Sequence, residues 1–297
     1  MPADEDEHPM PPQRSMTVAE RLRLMSGKLT AAEAKLTAVL FASYPVAGLG
    51  SITDFARAAG VSTPSVLRLA KKLGFAGFPA LQEALRAELA AQLQNPIAKH
   101  ARWAAEAPDT HILNRFAKAA MENLSGSLKL MDHRAFDAVV ALLASRKRRI
   151  HVAGGRITGA IAAYLATHLQ MARPGVSLVP ANPSLWPQYL LDAGGEDVFL
   201  FFDIRRYDAR MLDLAVSATE RGAKAVLITD QWISPIARLA VHCLPLRIEA
   251  PSSWDSNIVP LFVAEALVAA TVNASWKETA ARIAELEALA EPGRRGR

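Results

Sequence analysis

Ser51-Ile-Thr-Asp-Phe-Ala-Arg-Ala-Ala-Gly-Val-Ser-Thr-Pro-Ser-Val-Leu-Arg-Leu-Ala-Lys-Lys-Leu-Gly74 reads as two short helices joined by a tight turn at Gly60. The first has an apolar face at Ile52, Phe55 and Ala56, with Ala59 one turn on; the second carries Val66, Leu69, Ala70 and Leu73, the spacing of one buried stripe. Ser65, Arg68, Lys71 and Lys72 are read as the opposite face. A helix held by one side, with a cationic and hydroxyl-bearing side turned outward, suits insertion into the major groove of DNA. A surface helix pair with solvated lysines is the competing reading. Three details favour DNA. Ser62 can cap the second helix and Pro64 is tolerated in its first turn. Thr63 and Ser65 then stand at the helix start, where recognition helices meet base edges and phosphates. No acidic residue lies between Val61 and Phe75.

Working outward, residues 16–27 read as a short amphipathic helix, and Thr30-Ala-Ala-Glu33 is a capping-box pattern opening a helix to about Tyr44, stopped by Pro45. The Gly74–Pro79 stretch breaks the pattern and starts a further helix over about 79–93. Between residues 16 and 100, ten Lys and Arg face five acids, so the positive excess sits with the reader helix. Residues 1–15, with Asp4, Glu5, Asp6 and Glu7 among prolines, read as a disordered tail. The all-α module is assigned to 16–94 and a linker to 95–109.

The chain has 297 residues, about half of them apolar, and a net charge of +5, which permits an anionic partner without requiring one. A single cysteine, Cys243, excludes an internal disulfide and a cysteine metal cluster, and its apolar surroundings suggest a buried thiol. No metal or cofactor is expected. The acidic start is unlike a signal peptide, and no run approaches the ~18 apolar residues that span a bilayer, so a cytoplasmic protein without a membrane partner is expected.

Helical pattern resumes over about 110–131 and 134–144. Beyond Arg149 the texture changes: strands at 150–153, 176–179, 197–202, 223–229 and 241–246 alternate with helices at 157–171 and 209–221, then helices at 257–272 and 276–290. Such alternation specifies a parallel sheet covered on both faces. The α/β part is assigned to 110–275, with a C-terminal helix and tail over 276–297.

Ligands of open α/β sheets bind outside the carboxyl ends of the strands. Three such ends stand out. Gly154, Gly155, Arg156 and Thr158 form the first, where glycines admit close approach and the next helix start offers N–H groups to an anion; a plain tight turn is the alternative. The second is Asp203-Ile-Arg-Arg-Tyr-Asp208, whose Arg205 and Arg206 can fork onto a carboxylate or phosphate, or pair internally with Asp203 or Asp208. The third holds Ser252, Ser253 and Ser256 before a long helix, as ligand hydroxyls or as ordinary caps. Asp230 is read as shaping its turn. Trp186, Trp232 and Trp254 lie in loops on this layer, as pocket walls or as buried packing.

Leu29-Thr-Ala-Ala-Glu33, Ser51–Ala56, Val61-Ser62, Ser65–Phe75 and Gly77-Phe78 together resemble the DNA-binding module of the MurR/RpiR-type bacterial transcriptional regulators. That resemblance implies a multidomain protein: an all-α helix-turn-helix domain followed by an α/β three-layer sugar isomerase (SIS) domain with a five-stranded parallel sheet, usually oligomeric and often binding phosphosugars. It departs from the family in two loops. The Gly-x-Gly-x-Ser of phosphosugar sites stands here as Gly154, Arg156 and Thr158, and the Ser-x-Ser-Gly-x-Thr cradle is replaced by Asp203–Asp208.

The function expected is a regulator binding a double-stranded operator through Ser62, Thr63, Ser65, Arg68, Lys71 and Lys72. A small anionic metabolite, a sugar phosphate or carboxylated sugar derivative, is expected at Gly154, Gly155, Arg156, Thr158, Asp203, Arg205, Arg206, Ser252, Ser253 and Ser256. A homodimer or homotetramer through the SIS domain would suit a palindromic site. The alternative is a sugar-phosphate isomerase, with Glu265, His242 or His168 as general base. A helical adaptor for an acidic partner is a third reading.

Overall fold

The computed structural model describes residues 16–105 and 111–290. The expected tails over 1–15 and beyond 290 lie outside the described residues. Two compact units emerge, one reaching Leu130 and including Pro251–Trp254, the other formed by Met131–Ala250 and the chain from Asp255.

The first unit is helical: α1 (Val18–Leu24), α2 (Ala31–Ala42), α3 (Ile52–Ala58), α4 (Thr63–Lys72), α5 (Phe78–Leu93), α6 (Pro96–Ala105) and α7 (Ile112–Leu130). Capping boxes open α1, through Thr17 and Glu20, and α2, through Thr30 and Glu33. The anticipated stripes do face inward: Phe55, Ala56, Ala59, Val66, Leu69, Ala70 and Leu73 join Leu22, Leu36, Leu40, Leu81 and Leu85 in one core. Each large side chain there contributes about 1.5–3 kcal/mol through burial.

The turn between α3 and α4 is built on Gly60, at φ 61°. The N–H of Val61 donates to the Ala56 carbonyl and that of Gly60 to Arg57, the paired bonds that close a helix on a left-handed residue. The same pair recurs at Gly74, with φ 85° and donors from Gly74 to Lys71 and from Phe75 to Ala70. Both ends of the reader helix are therefore fixed locally. Below it, Lys72 Nζ reaches Glu33 Oε2 on α2 at 2.7 Å. Glu33 is buried, which by itself raises its pKa, yet Lys72 and the Thr30 cap hold it below the usual carboxylate range.

The segment 95–109, read as a linker, contains helix α6. Asn95 Oδ1 accepts the Ala98 N–H at 2.8 Å, and Pro96 sits in the first turn where no N–H is needed. Asn-Pro here starts a helix.

The second unit is a three-layer α/β structure with α8 (His133–Ala144), β1 (Arg149–Gly154), α9 (Gly159–Ala172), β2 (Val176–Leu178), α10 (Trp186–Leu191), β3 (Asp197–Asp203), α11 (Ala209–Glu220), β4 (Lys224–Asp230), β5 (Ala240–Leu246), α12 (Ile258–Ala274) and α13 (Trp276–Ala290). The sheet is parallel, ordered β2-β1-β3-β4-β5. β3 is buried along its whole length, as a central strand covered on both faces must be. Helices α8, α9 and α12 cover one face, and α10 and α11 the other. Helix α10 escaped the sequence reading because prolines at 183 and 187 punctuate it. Cys243 is only partly buried on β5, short of the buried thiol expected. No single helix among the described residues is long and apolar enough to cross a membrane.

Replacing Glu33 by alanine removes a cap and leaves Lys72 without its carboxylate. We expect a loss of about 1–3 kcal/mol in chemical unfolding; Lys35→Ala, on the exposed face of the same helix, should stay within about 0.5 kcal/mol.

Candidate functional site

The chain runs from β1 outward to β2, then returns to place β3 on the other side of β1. The carboxyl ends of β1 and β3, paired as far as Gly154 with Phe202, therefore flank the point where the strand order reverses. Open α/β sheets bind ligands at this point.

The β1 loop is tight because Gly154 has no side chain: a Cβ there would stand 2.7 Å from the Thr158 carbonyl oxygen and 2.8 Å from the Gly159 nitrogen. Thr158 was expected to offer its hydroxyl to a ligand. It is buried, and Oγ1 accepts the Gly155 N–H at 2.8 Å while donating to the Phe202 carbonyl at 2.8 Å. The hydroxyl ties the two loops together and has little left to give a ligand. Arg156 is exposed beside it.

The β3 loop rests on buried carboxylates. Asp230, at the end of β4 and fully buried, accepts the Arg205 N–H at 2.6 Å, the Tyr207 hydroxyl at 2.6 Å and the Trp232 N–H at 2.9 Å. Burial pushes its pKa up, and these donors oppose the rise. They hold Arg205 (φ 50°) and Arg206 (φ 44°) in left-handed conformations that cost a non-glycine residue about 1–2 kcal/mol each. The Arg205 guanidinium lies over the Trp232 ring, 4.4 Å from its centre, and its Nε is 3.4 Å from Asp255 Oδ2. Internal pairing of Arg205 thus occurs with Asp255, while Asp208 pairs with Arg210 at 2.8 Å and caps α11. Arg206 is exposed.

Asp203 is buried too, and accepts the Ser234 hydroxyl. Burial raises its pKa to about 7, aided by Asp230 and Asp208. Thr229 completes the network, donating to the Asp203 carbonyl at 2.7 Å and accepting the Ser234 N–H at 3.1 Å. Ser256 is buried and accepts the Ile258 N–H at 3.2 Å, so it serves as a cap. Ser252 accepts the Trp254 N–H at 3.2 Å, and Ser253 is partly exposed. Trp186 and Trp232 are buried, and Trp254 is 52% exposed.

Of the proposed ligand set, then, Thr158, Asp203, Arg205 and Ser256 are committed inward, which corrects their reading as ligand-facing groups. Arg156 and Arg206 remain outward. Sequence reasoning missed Asp255 and the Trp232 support and undervalued Asp230; two aspartates ending adjacent buried strands were the available signal. Among the described residues no group of three or more His, Cys, Asp or Glu could hold a metal. The candidate isomerase bases have other contacts: Glu265 accepts the Tyr164 hydroxyl at 3.1 Å, and His168 Nδ1 lies 2.9 Å from the Tyr164 carbonyl, nine residues or about 13 Å along α9 from its start. His242 is half-buried on β5.

In the helical unit, Arg68 and Lys71 are exposed on α4, Ser62 is exposed and Thr63 half-buried. Two members of the expected reader face differ. Ser65 is buried, 4% exposed, because it lies four residues before Leu69 on the stripe that faces the core. Lys72 is drawn back to Glu33 and the Lys28 carbonyl.

A helix-turn-helix unit with a bare cationic reader helix, followed by an α/β unit with its strand ends open to a ligand, is the build of a transcriptional regulator. Residues 16–92 match the model of the rpiR-family helix-turn-helix domain and residues 142–270 that of the SIS domain, and the chain belongs to the MurR/RpiR family of transcriptional regulators. The HTH-type transcriptional regulator HexR of Pseudomonas aeruginosa is 27% identical over 262 residues, covering 84% of this chain and 86% of that protein. YfhH of Escherichia coli, another HTH-type regulator, is 27% identical over 240 residues, 80% and 84% of the two chains. The sugar isomerase domain of an RpiR transcription factor from Sphaerobacter thermophilus superimposes with a TM-score of 0.57 at 21% identity, covering 60% of this chain and 99% of that one. The Vibrio vulnificus NanR protein, complexed with ManNAc-6P, gives 0.53 at 19% identity over 92% and 98%. These likenesses show the shared fold.

Asp203 predicts a pH effect. Its folded pKa, about 7, lies above the ordinary value of 3.8, so the native state holds a proton that the unfolded chain has released between those values. Stability must therefore fall as pH rises through that window. We expect the melting temperature of the α/β unit to drop between pH 5 and 8, and Asp203→Asn to flatten that dependence.

Proposed function

We propose that this regulator senses a small anionic metabolite at the carboxyl ends of β1 and β3, where Arg156 and Arg206 grip the anionic group and occupancy alters operator binding. The observation that carries the reading is that these two guanidinium groups are exposed at neighbouring strand ends across the reversal of strand order, on loops that internal hydrogen bonds fix in place. Gly154 and Gly155 allow the ligand near the backbone; Thr158, Asp203 and Arg205 hold the loops. Solved relatives support a sugar-phosphate type of ligand: NanR is complexed with ManNAc-6P, and E. coli c3406, at a TM-score of 0.50 and 19% identity, is complexed with another sugar phosphate. Guanidinium groups in place of hydroxyls suit a carboxylated sugar derivative as well.

On the DNA side, α4 enters the major groove, with Arg68 and Thr63 near bases, Lys71 and Ser62 on phosphates, and Lys72 supporting the helix from behind. A homodimer or homotetramer through the SIS domain would set two reader helices one helical turn of DNA apart.

Thermal-shift titration with ManNAc-6P, pentose and hexose phosphates, sugar acids and inorganic phosphate tests the ligand site. A stabilising compound should lose its effect in Arg156→Ala and Arg206→Ala, whereas Arg205→Ala should lower the melting temperature of the unliganded protein. A compound whose effect survives both exposed-arginine substitutions would remove the site from this place. For the DNA face, Lys71→Ala should weaken operator binding and reduce the slope of log K against log salt by about 1 per subunit; an unchanged slope would take Lys71 off the phosphate backbone.

A further inference from the structure

We infer that Ser65 is a positioning residue for DNA recognition: with Ser62 it holds the Arg68 guanidinium as a fixed fork that reads one guanine in each half-site. The inference rests on the DNA reading above, and assigns base specificity within it.

Ser62, Ser65 and Arg68 are three residues apart along α4, so they share one edge of the helix. Ser62 begins the helix, yet its hydroxyl makes no capping bond; Oγ lies 3.1 Å from Ser65 Oγ instead. Ser65 accepts from Arg68 Nη2 at 2.9 Å. Being buried, Ser65 cannot itself touch DNA, and its hydroxyl is satisfied by donating to Ser62 while accepting from Arg68. Helical side chains lean toward the N-terminus, and this bond pulls the guanidinium further that way, to the end of a recognition helix that meets base edges.

A long arginine normally loses much rotamer freedom on binding; here part of that loss occurs on folding, in the unbound protein. One Nη2 hydrogen is engaged by Ser65. The other, with Nη1, leaves two parallel donors on an exposed side chain. Two parallel donors at fixed spacing match guanine O6 and N7, the pair that arginine reads in the major groove. Phosphate neutralisation asks for charge alone, which Lys71 provides.

The test begins with the full-length protein selecting from duplexes carrying a random core of about three helical turns, enough for two half-sites. Each guanine in the recovered half-site is then replaced singly by 7-deazaguanine, which lacks the N7 acceptor. For wild type, one position should weaken binding roughly ten-fold. Ser65→Ala and Arg68→Lys should bind the unmodified duplex more weakly, lose that ten-fold discrimination, and keep the salt slope, since neither changes the charge. Circular dichroism of Ser65→Ala checks that the helices are intact, and Ser65→Thr, which restores the hydroxyl, should recover the discrimination. Retained discrimination in folded Ser65→Ala, or a half-site in which no guanine depends on Arg68, overturns the inference while leaving DNA binding in place. Failure of the wild-type protein to select any sequence overturns the DNA reading as well.

Discussion

Asp230 is cut off from water, and the ligand-facing half of the α/β unit is organised around that fact. An ionised carboxylate in a buried strand end is unfavourable unless donors converge on it. Three do: a main-chain N–H from Arg205, the Tyr207 hydroxyl and the Trp232 N–H. To bring the first two together, the chain passes through consecutive left-handed residues, a conformation the arginines would not choose alone. The strained turn and the buried charge are one arrangement. Its consequence is outward: Arg205 folds down over Trp232 toward Asp255, and Arg206 is left pointing at solvent.

The helical unit follows the same logic. Glu33 is buried, closes the start of α2 and draws Lys72 under the reader helix. Ser65 is buried and draws Arg68 along its surface. In both units a polar group turned inward decides where a cation points. Sequence positions that look alike, Lys71 beside Lys72 or Arg205 beside Arg206, consequently have opposite jobs. The second member of the lysine pair is held inward; in the arginine pair it is the first.

This also explains what the sequence made legible. Local rules were sufficient where the deciding contact is near in sequence: the Thr30–Glu33 cap, the helix-ending glycines at 60 and 74, and the apolar runs that became β3 and β4. They were insufficient where one local signal has two meanings. Asn95-Pro96 ends a pattern or starts one, and it starts α6. Ser65 sits at the boundary of the apolar stripe, and a small hydroxyl side chain suits either side of that boundary; its spacing to Leu69 was the better guide. Pairings across long separations carried no local trace at all. Arg205 with Asp255, fifty residues on, and Lys72 with Glu33 exist only once the fold has formed.

The replacement of a hydroxyl cradle by arginines changes what a ligand must offer. A serine-rich loop can donate through side chains and backbone N–H groups and can accept from sugar hydroxyls. In this loop the Arg205 N–H already serves Asp230, and on the facing loop the Gly155 N–H serves Thr158. Anion contact must therefore come from side chains, and guanidinium groups donate without accepting. A neutral sugar would find few acceptors between Arg156 and Arg206. Charge on the ligand is consequently a requirement of recognition, and the planar forks favour a group with two coplanar or tetrahedral oxygens within reach of both strand ends. The site selects first for the anion and only then, through the surrounding loops, for the carbon skeleton that carries it.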